Sequence, residues 1–147
     1  MTDTHLRKIQ SFVRRSGRLS KAQAMGLNEL WSSYGIDITK KNLDFVELFS
    51  NKNAITLEVG FGNGDSLLEM SIEHPNQNFL GIEVYEAGVG RLINEANKKN
   101  LNNLKIIKED AVEVLNNNIA DNSISHFQLF FPDPWHKKKH HKRRIVQ

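Results

Sequence analysis

Asp133 is the residue of this chain best suited to form a fixed chemical site. It lies between Pro132 and Pro134, and Trp135 follows. The prolines restrict the backbone on both sides of the carboxylate, and the neighbouring indole can stack on a base. No nucleophile accompanies it, since the chain has no Cys and no Ser on a sharp strand-to-helix turn. We therefore interpret Asp133 as a group that orients a ligand, with a proline-rich turn at the end of a strand as the alternative.

A dense cationic run, residues 136–144, begins directly after this motif. Residues 136–147 hold six Lys/Arg and no acid, and residues 1–25 hold six Lys/Arg and one acid. Residues 26–135 carry eight Lys/Arg against sixteen acids, a net charge of −8. An acidic body with two basic segments indicates a polyanionic partner, most simply a nucleic acid, although one such run alone is often a solvated tail. The histidines of the run lack a nearby carboxylate cluster, so we predict no metal site.

A glycine loop upstream, Gly60-Phe61-Gly62-Asn63-Gly64, is a candidate cofactor loop. Gly60, Gly62 and Gly64 permit positive φ and a close approach of the backbone to a ligand. A dinucleotide fingerprint needs a third glycine at position 65, where this chain has Asp65. An acid at that helix N-terminus would repel a pyrophosphate. The loop thus favours a nucleoside ligand without phosphates over a nicotinamide dinucleotide.

Three acids strengthen this interpretation because each lies near the carboxyl end of a predicted strand. Glu83 follows the loop by about twenty residues, where a carboxylate can accept both ribose hydroxyls. Asp110 can meet an adenine amine, and Glu58 stands inside an apolar strand, an unusual place for a charge without a function. The alternative for each is a helix cap, which suits Asp110 before Ala111. S-adenosylmethionine, which is cationic and phosphate-free, fits such an acidic edge.

Strand and helix patterns alternate along the chain, which predicts an α/β fold with a doubly wound, mostly parallel sheet of the Rossmann-like type. The fourth strand is almost continuously apolar, as expected for a strand buried on both faces. Strands are predicted at 54–59, 78–84, 104–108 and 125–131, and helices at 41–49, 65–73, 86–99 and 111–115.

The chain of 147 residues suits one domain with arms. We predict a basic N-terminal arm at 1–26 and a catalytic domain at 27–147, which ends in an RNA-binding segment at 136–144. No apolar run approaches the roughly 18–20 residues of a membrane span, and the first residues lack the pattern of a secretory signal. The absence of Cys gives no indication of an oxidising compartment. We therefore expect a cytoplasmic location.

Together these motifs resemble the bacterial tRNA (guanine-N7)-methyltransferase family, and the resemblance extends over essentially the whole chain. The stretch FPDPWHKKKHHKRR at 131–144 is highly specific for that family, whereas the glycine loop is shared with many methyltransferases. The other segments that carry the resemblance are SFVRRSGRL at 11–19, LEVGFGNG at 57–64, GIE at 81–83 and EDA at 109–111.

The resemblance implies transfer of a methyl group from S-adenosylmethionine to N7 of a guanine in the variable loop of tRNA. It assigns cofactor binding to Glu58, Glu83, Asp110 and Asp133, and makes Asp133 the active-site residue. It also places Lys137 against the substrate. The segment that it implies to contact RNA comprises Lys139, His140, His141, Lys142, Arg143 and Arg144.

The chain departs from that family in length, because such enzymes have a seven-stranded sheet and only four strands are predicted here. We therefore expect a truncated chain whose fourth strand, with Phe127, Leu129 and Phe130, forms an unprotected apolar edge. Two alternatives remain open: an inactive RNA-binding fragment, and a methyltransferase that acts on another base. The sequence does not determine the oligomeric state.

Overall fold

The computed structural model of the protein describes residues 10, 12, 17–130 and 136–146. The four strands are β1 (Ile55–Val59), β2 (Asn78–Ile82), β3 (Leu104–Ile107) and β4 (His126–Leu129). The helices are α1 (Lys21–Asn28), α2 (Trp31–Tyr34), α3 (Phe45–Phe49), α4 (Asp65–Glu73), α5 (Glu86–Lys98) and α6 (Ala111–Asn117), with a 3-10 helix at Lys138–Arg143. No helix within these residues is long and apolar enough to cross a membrane.

The strands form one parallel sheet in the order β3-β2-β1-β4, which confirms the predicted fold class. Val59 at the end of β1 lies opposite Ile82 of β2 and Leu129 of β4. The strand order reverses at β1, since β2 and β3 lie on one side of it and β4 on the other. In open parallel sheets a ligand crevice forms at such a reversal, beyond the carboxyl ends of the strands.

Two hydrophobic clusters cover the two faces of the sheet. The first includes Leu67 of α4 and Leu92 of α5, and the second includes Phe49 of α3 and Val114 of α6. The sheet contributes alternate residues to each cluster, as expected for strands with helices on both sides. The central strands β1 and β2 are buried along their whole length. The carboxyl end of β1 is therefore held in place by buried, well-packed strands.

β4 is not buried on both faces, so that expectation from its apolar sequence is wrong. Its residues are exposed or half-buried, and Phe127 retains 48% of its surface and the following Phe130 retains 46%. In the described part of the chain, β4 pairs with β1 alone and no strand pairs with its other edge. The exposed apolar edge expected from the strand count is thus confirmed.

Two local predictions differ from the structure. The helix predicted at 41–49 begins only at Phe45, because the Asp44 side chain accepts a hydrogen bond from Glu47 N at 3.0 Å and caps it. The predicted arm at 1–26 overlaps α1, which starts with a capping box between Ser20 and Gln23. The division into arm and domain itself stays a prediction.

α1 is fastened to the outer side of α5. Gly26 lies directly against the Gly90 backbone, where a side chain at either position would collide with the other helix. The Asn94 amide adds a hydrogen bond to the Ala22 carbonyl. The contact fixes the point at which the basic N-terminal residues leave the domain.

Candidate functional site

The glycine loop forms the floor of the candidate site at the end of β1. Gly60, Gly62 and Gly64 have φ of +71°, +60° and +80°, in the left-handed region that favours glycine. A Cβ built at Gly60 or Gly62 would meet no described atom within 4 Å. Among the described residues, nothing covers these two glycines on the side where a Cβ would lie. Ligand binding by the loop stays a prediction.

The Glu83 carboxylate holds this loop in place. One oxygen accepts a hydrogen bond from Gly62 N at 2.8 Å. The other accepts from Val84 N at 2.7 Å and Tyr85 N at 3.0 Å. One side chain therefore joins the end of β2, the entrance to α5 and the glycine loop. This contact has no signal in the sequence, from which Glu83 is predicted only as a partner for a ligand.

Glu58 lies buried in β1, just before the loop. Only 3% of it is exposed, and burial raises the pKa of its carboxyl to about 7. Its Oε2 finds no hydrogen-bond partner among the described residues. A buried acceptor without a donor is unfavourable, and a cationic ligand at this edge would relieve it. The position fits the predicted cofactor role.

Asp110 caps α6, with its side chain accepting a hydrogen bond from Val112 N at 2.9 Å. The helix-cap alternative is thus confirmed for this residue. Capping does not exclude contact with a ligand, because a carboxylate offers several lone pairs. Its cofactor role remains a prediction.

Asp65 differs from its expected role. Its carboxylate pairs with the Arg91 guanidinium at 2.7 Å, and Arg91 also donates to the Asn63 carbonyl at 2.9 Å. The charge expected to repel a pyrophosphate is therefore offset by a cation. The preference for a phosphate-free ligand now depends on the Glu83 carboxylate, which lies at the loop.

The structure brings Glu58, Glu83 and the loop together, because β1 and β2 are adjacent and end at the same edge. Asp133 and Trp135 lie outside the described residues. β4 ends at Leu129, beside Val59, so the strand that leads to Asp133 approaches the same edge. The joint site of Asp133 and the loop stays a prediction.

The basic segment returns to the domain at its end. Lys138–Arg143 form a 3-10 helix without buried residues, and Ile145 then packs against the second hydrophobic cluster. Desolvation, and then repulsion by Arg143 and Lys139, lowers the pKa of His140. The protonated form of His140 is therefore disfavoured in this segment. Over the described residues, no three His, Asp or Glu side chains are grouped as a metal site would require.

Comparison with known proteins defines the class. The sequence profile of a family described as "Putative methyltransferase" matches residues 52–147, and the chain belongs to that family. A solved "antibiotic related Methyltransferase" shares the fold, with a TM-score of 0.52, 16% identity and coverage of 67% of this chain and 49% of that one.

Relatives with higher sequence identity carry a more specific name. The "tRNA (guanine-N(7)-)-methyltransferase" of Francisella philomiragia is 51% identical over 143 residues, which cover 97% of this chain and 62% of the relative. The protein of the same name from Vibrio vulnificus is 52% identical over 142 residues, with coverage of 97% and 59%. The chain therefore spans about 60% of the length of the curated relatives that it matches.

Proposed function

We propose that this protein takes part in transfer of a methyl group from S-adenosylmethionine to N7 of a guanine in tRNA. One observation carries the proposal. An open glycine loop, held by Glu83 and backed by the buried Glu58, lies at the sheet edge that β4 approaches before the basic segment. The names of the half-identical relatives agree with a cofactor site beside an RNA-binding surface. Such an enzyme acts where tRNA is used, so we place it in the cytoplasm.

The cofactor fits the described residues in two respects. The unpartnered Glu58 Oε2 offers an acceptor to a cationic group. The open space over Gly60 and Gly62 admits a nucleoside close to the backbone. S-adenosylmethionine, when bound, supplies an electrophilic methyl group. We assign Glu83 to the ribose hydroxyls and Asp110 to the adenine amine, as predicted from the sequence.

Guanine N7 carries a free lone pair, so no general base has to remove a proton before attack. The principal tasks of the protein are to align N7 with the methyl carbon and to exclude other orientations. We assign Asp133 to hydrogen bonds from the guanine edge or the cofactor amine, and Lys137 to the substrate. Lys139–Arg144 hold phosphates, which position the RNA without reading its sequence. The guanine must be displaced from the tRNA fold to reach the site.

Mapping of the methylated atom tests the proposal. Unmodified tRNA would be incubated with labelled S-adenosylmethionine and either this chain or this chain joined to the C-terminal part of the Francisella relative. Label at guanine N7 with the joined chain supports the proposal. Label at another atom would identify a different methyltransferase. RNA binding without methylation by either chain would show that the protein binds RNA but does not methylate it.

We expect the basic segment to bind RNA through phosphates. Replacement of Lys142, Arg143 and Arg144 by Gln should weaken binding of all tRNAs alike. It should also reduce the slope of log affinity against log salt by up to about 0.7–0.9 per lost contact. Filter binding at several salt concentrations would measure both effects.

The matched control replaces Lys52, Lys98 and Lys99, three exposed cations at the amino edge of the sheet. It removes the same formal charge far from the candidate site, and we expect little change in the salt slope. A loss confined to one tRNA with the slope intact would indicate base recognition and contradict the phosphate assignment.

A further inference from the structure

Gln128 is the polar residue directly beside Glu58 on the neighbouring strand β4. The two residues are Cα partners across the β1–β4 pair, so their side chains leave the sheet on the same face. The partner of Glu58 on the other side is Gly81, which has no side chain. Leu67 and Phe61 fill the space next to Gly81. Among the described residues of the sheet, Gln128 alone can support the Glu58 carboxyl from the side.

Both side chains contain a buried oxygen without a donor. Glu58 Oε2 and Gln128 Oε1 each lack a hydrogen-bond partner within the described chain. The Gln128 amide nitrogen contacts only the Met70 sulfur, a weak acceptor, at 3.5 Å. A buried acceptor without a partner destabilises the folded state. Two adjacent acceptors of this kind therefore require a shared hydrogen bond.

A primary amide can provide that bond whatever the charge of the carboxyl. A protonated Glu58 donates its O–H to Gln128 Oε1. An ionised Glu58 accepts from the Gln128 amide nitrogen once the amide has turned over. The bond to the ionised form is the stronger because it is charge-assisted. Glutamine thus allows a buried carboxyl to change charge and keep its position.

We propose that Gln128 is a positioning residue that holds the Glu58 carboxyl toward the cofactor edge in both protonation states. The cofactor part of this inference rests on the function proposed above. The adjacency of Glu58 and Gln128 does not, since it follows from register. The hydrogen bond between them is the proposed element, because neither buried oxygen is bonded within the described residues. A cationic cofactor would ionise Glu58, and Gln128 would then stabilise the resulting carboxylate.

Other ionisable groups near Glu58 are few in the part of the chain that the structure describes. From α4, the uncharged Leu67 lies against Gly81 and the uncharged Met70 contacts Gln128. On β1 the same face carries the uncharged Thr56. The acids of α4 are exposed, and β4 offers the exposed His126 on the same face. A pH response of this region therefore reports mainly on Glu58.

The sign of that response follows from the raised pKa. Glu58 has a pKa of about 7 in the folded chain against 4.5 for the free side chain. The folded state keeps a proton that the unfolded state releases, so stability should fall as pH rises through this window and level off above it. Glu58→Gln removes the titrating group and should flatten the profile.

The decisive variant is Gln128→Met, which keeps bulk and removes both hydrogen bonds. It should raise the Glu58 pKa by about one unit, because the ionised form loses the stronger bond. Denaturant unfolding from pH ~5 to ~9 measures this shift. The free energy of unfolding should keep decreasing up to a higher pH than in the wild type before it levels off. Gln77→Met, in the turn before β2, is the control and should keep the wild-type profile. Adding Glu58→Gln to Gln128→Met should give the same profile as Glu58→Gln alone.

Calorimetry with S-adenosylmethionine gives a second readout. Gln128→Met should bind about fivefold more weakly at pH ~7, with a difference in affinity that narrows at higher pH as Glu58 ionises. Equal weakening at every pH, or an unchanged unfolding profile, would show that Gln128 only fills space. Gln128→Asn, which retracts the amide by one methylene, replaces the Met variant if that one does not fold. Failure of the wild type to bind cofactor would count against the proposed function, whereas the unfolding profile still decides the role of Gln128.

Discussion

Replacing Asp133 with alanine is expected to lower the rate of guanine methylation by at least about a hundredfold, because alignment of the reacting atoms supplies most of the acceleration. In the sequence Asp133 lies between two prolines at the end of an apolar segment, and prolines restrict the backbone on both sides of it. Its assigned task is to accept hydrogen bonds from the guanine edge or the cofactor amine. Single-turnover rates at saturating tRNA would measure the effect.

The Asn variant separates orientation from charge. Asp133→Asn places amide hydrogens where the ligands already donate, so its rate should also be low. Asp121→Ala, which removes an exposed acid in the turn before β4, is the matched control and should retain full activity. Both variants belong in the chain joined to the C-terminal part of a relative. Near-wild-type methylation by Asp133→Ala in that background would show that Asp133 has only a structural role in a turn.

The second large effect is expected at Glu83. Glu83→Ala should weaken S-adenosylmethionine binding by about 1–3 kcal/mol, because the ribose hydroxyls lose their acceptor. The structure adds a second cause, since the same carboxylate accepts hydrogen bonds from the amides of Gly62, Val84 and Tyr85. The loop should therefore lose its fixed conformation in the cofactor-free protein. Calorimetry measures the affinity, and amide hydrogen exchange at Gly62 measures the loop.

Two variants control this experiment. Glu83→Gln keeps one acceptor oxygen and should lie between wild type and alanine in both measurements. Glu69→Ala removes an exposed acid of α4 and should change neither. Unchanged affinity in Glu83→Ala, or tighter binding of a nicotinamide dinucleotide, would refute the cofactor assignment. Faster amide exchange at Gly62 with unchanged cofactor affinity would show that Glu83 holds the loop but does not bind the cofactor.

The parallel core of this fold could be predicted because its signals are local. Each central strand is an apolar run, the glycine loop marks the turn after β1, and each following helix has its own period. The start of α3 also had a local signal that was overlooked, since Asp44 is followed three residues later by Glu47. The same applies to α1, where Ser20 precedes Gln23 by three residues.

The remaining features depend on contacts between distant segments. The Glu83 hydrogen bond to Gly62 spans 21 residues, and the Arg91–Asp65 ion pair spans a similar distance. Such contacts depend on how β1, β2 and the helices that follow them pack together. A short stretch of sequence gives no information on that packing. The exposure of β4 likewise depends on which strands lie beside it, because an apolar run is the same whether or not its second neighbour is present.

The packing of α1 on α5 and of Ile145 on the core has a consequence for how RNA would be held. Both basic segments adjoin elements that pack on the folded domain. If each binds RNA as proposed, binding of one would present the other at an effective concentration in the millimolar range. The two segments together would bind RNA with an affinity about 10²–10⁴ higher than the affinity of either segment alone. The glycine contact between Gly26 and Gly90 fixes where the N-terminal segment is tethered. The distance between this point and the attachment of the second segment at Ile145 would determine which RNA shapes can contact both segments at once.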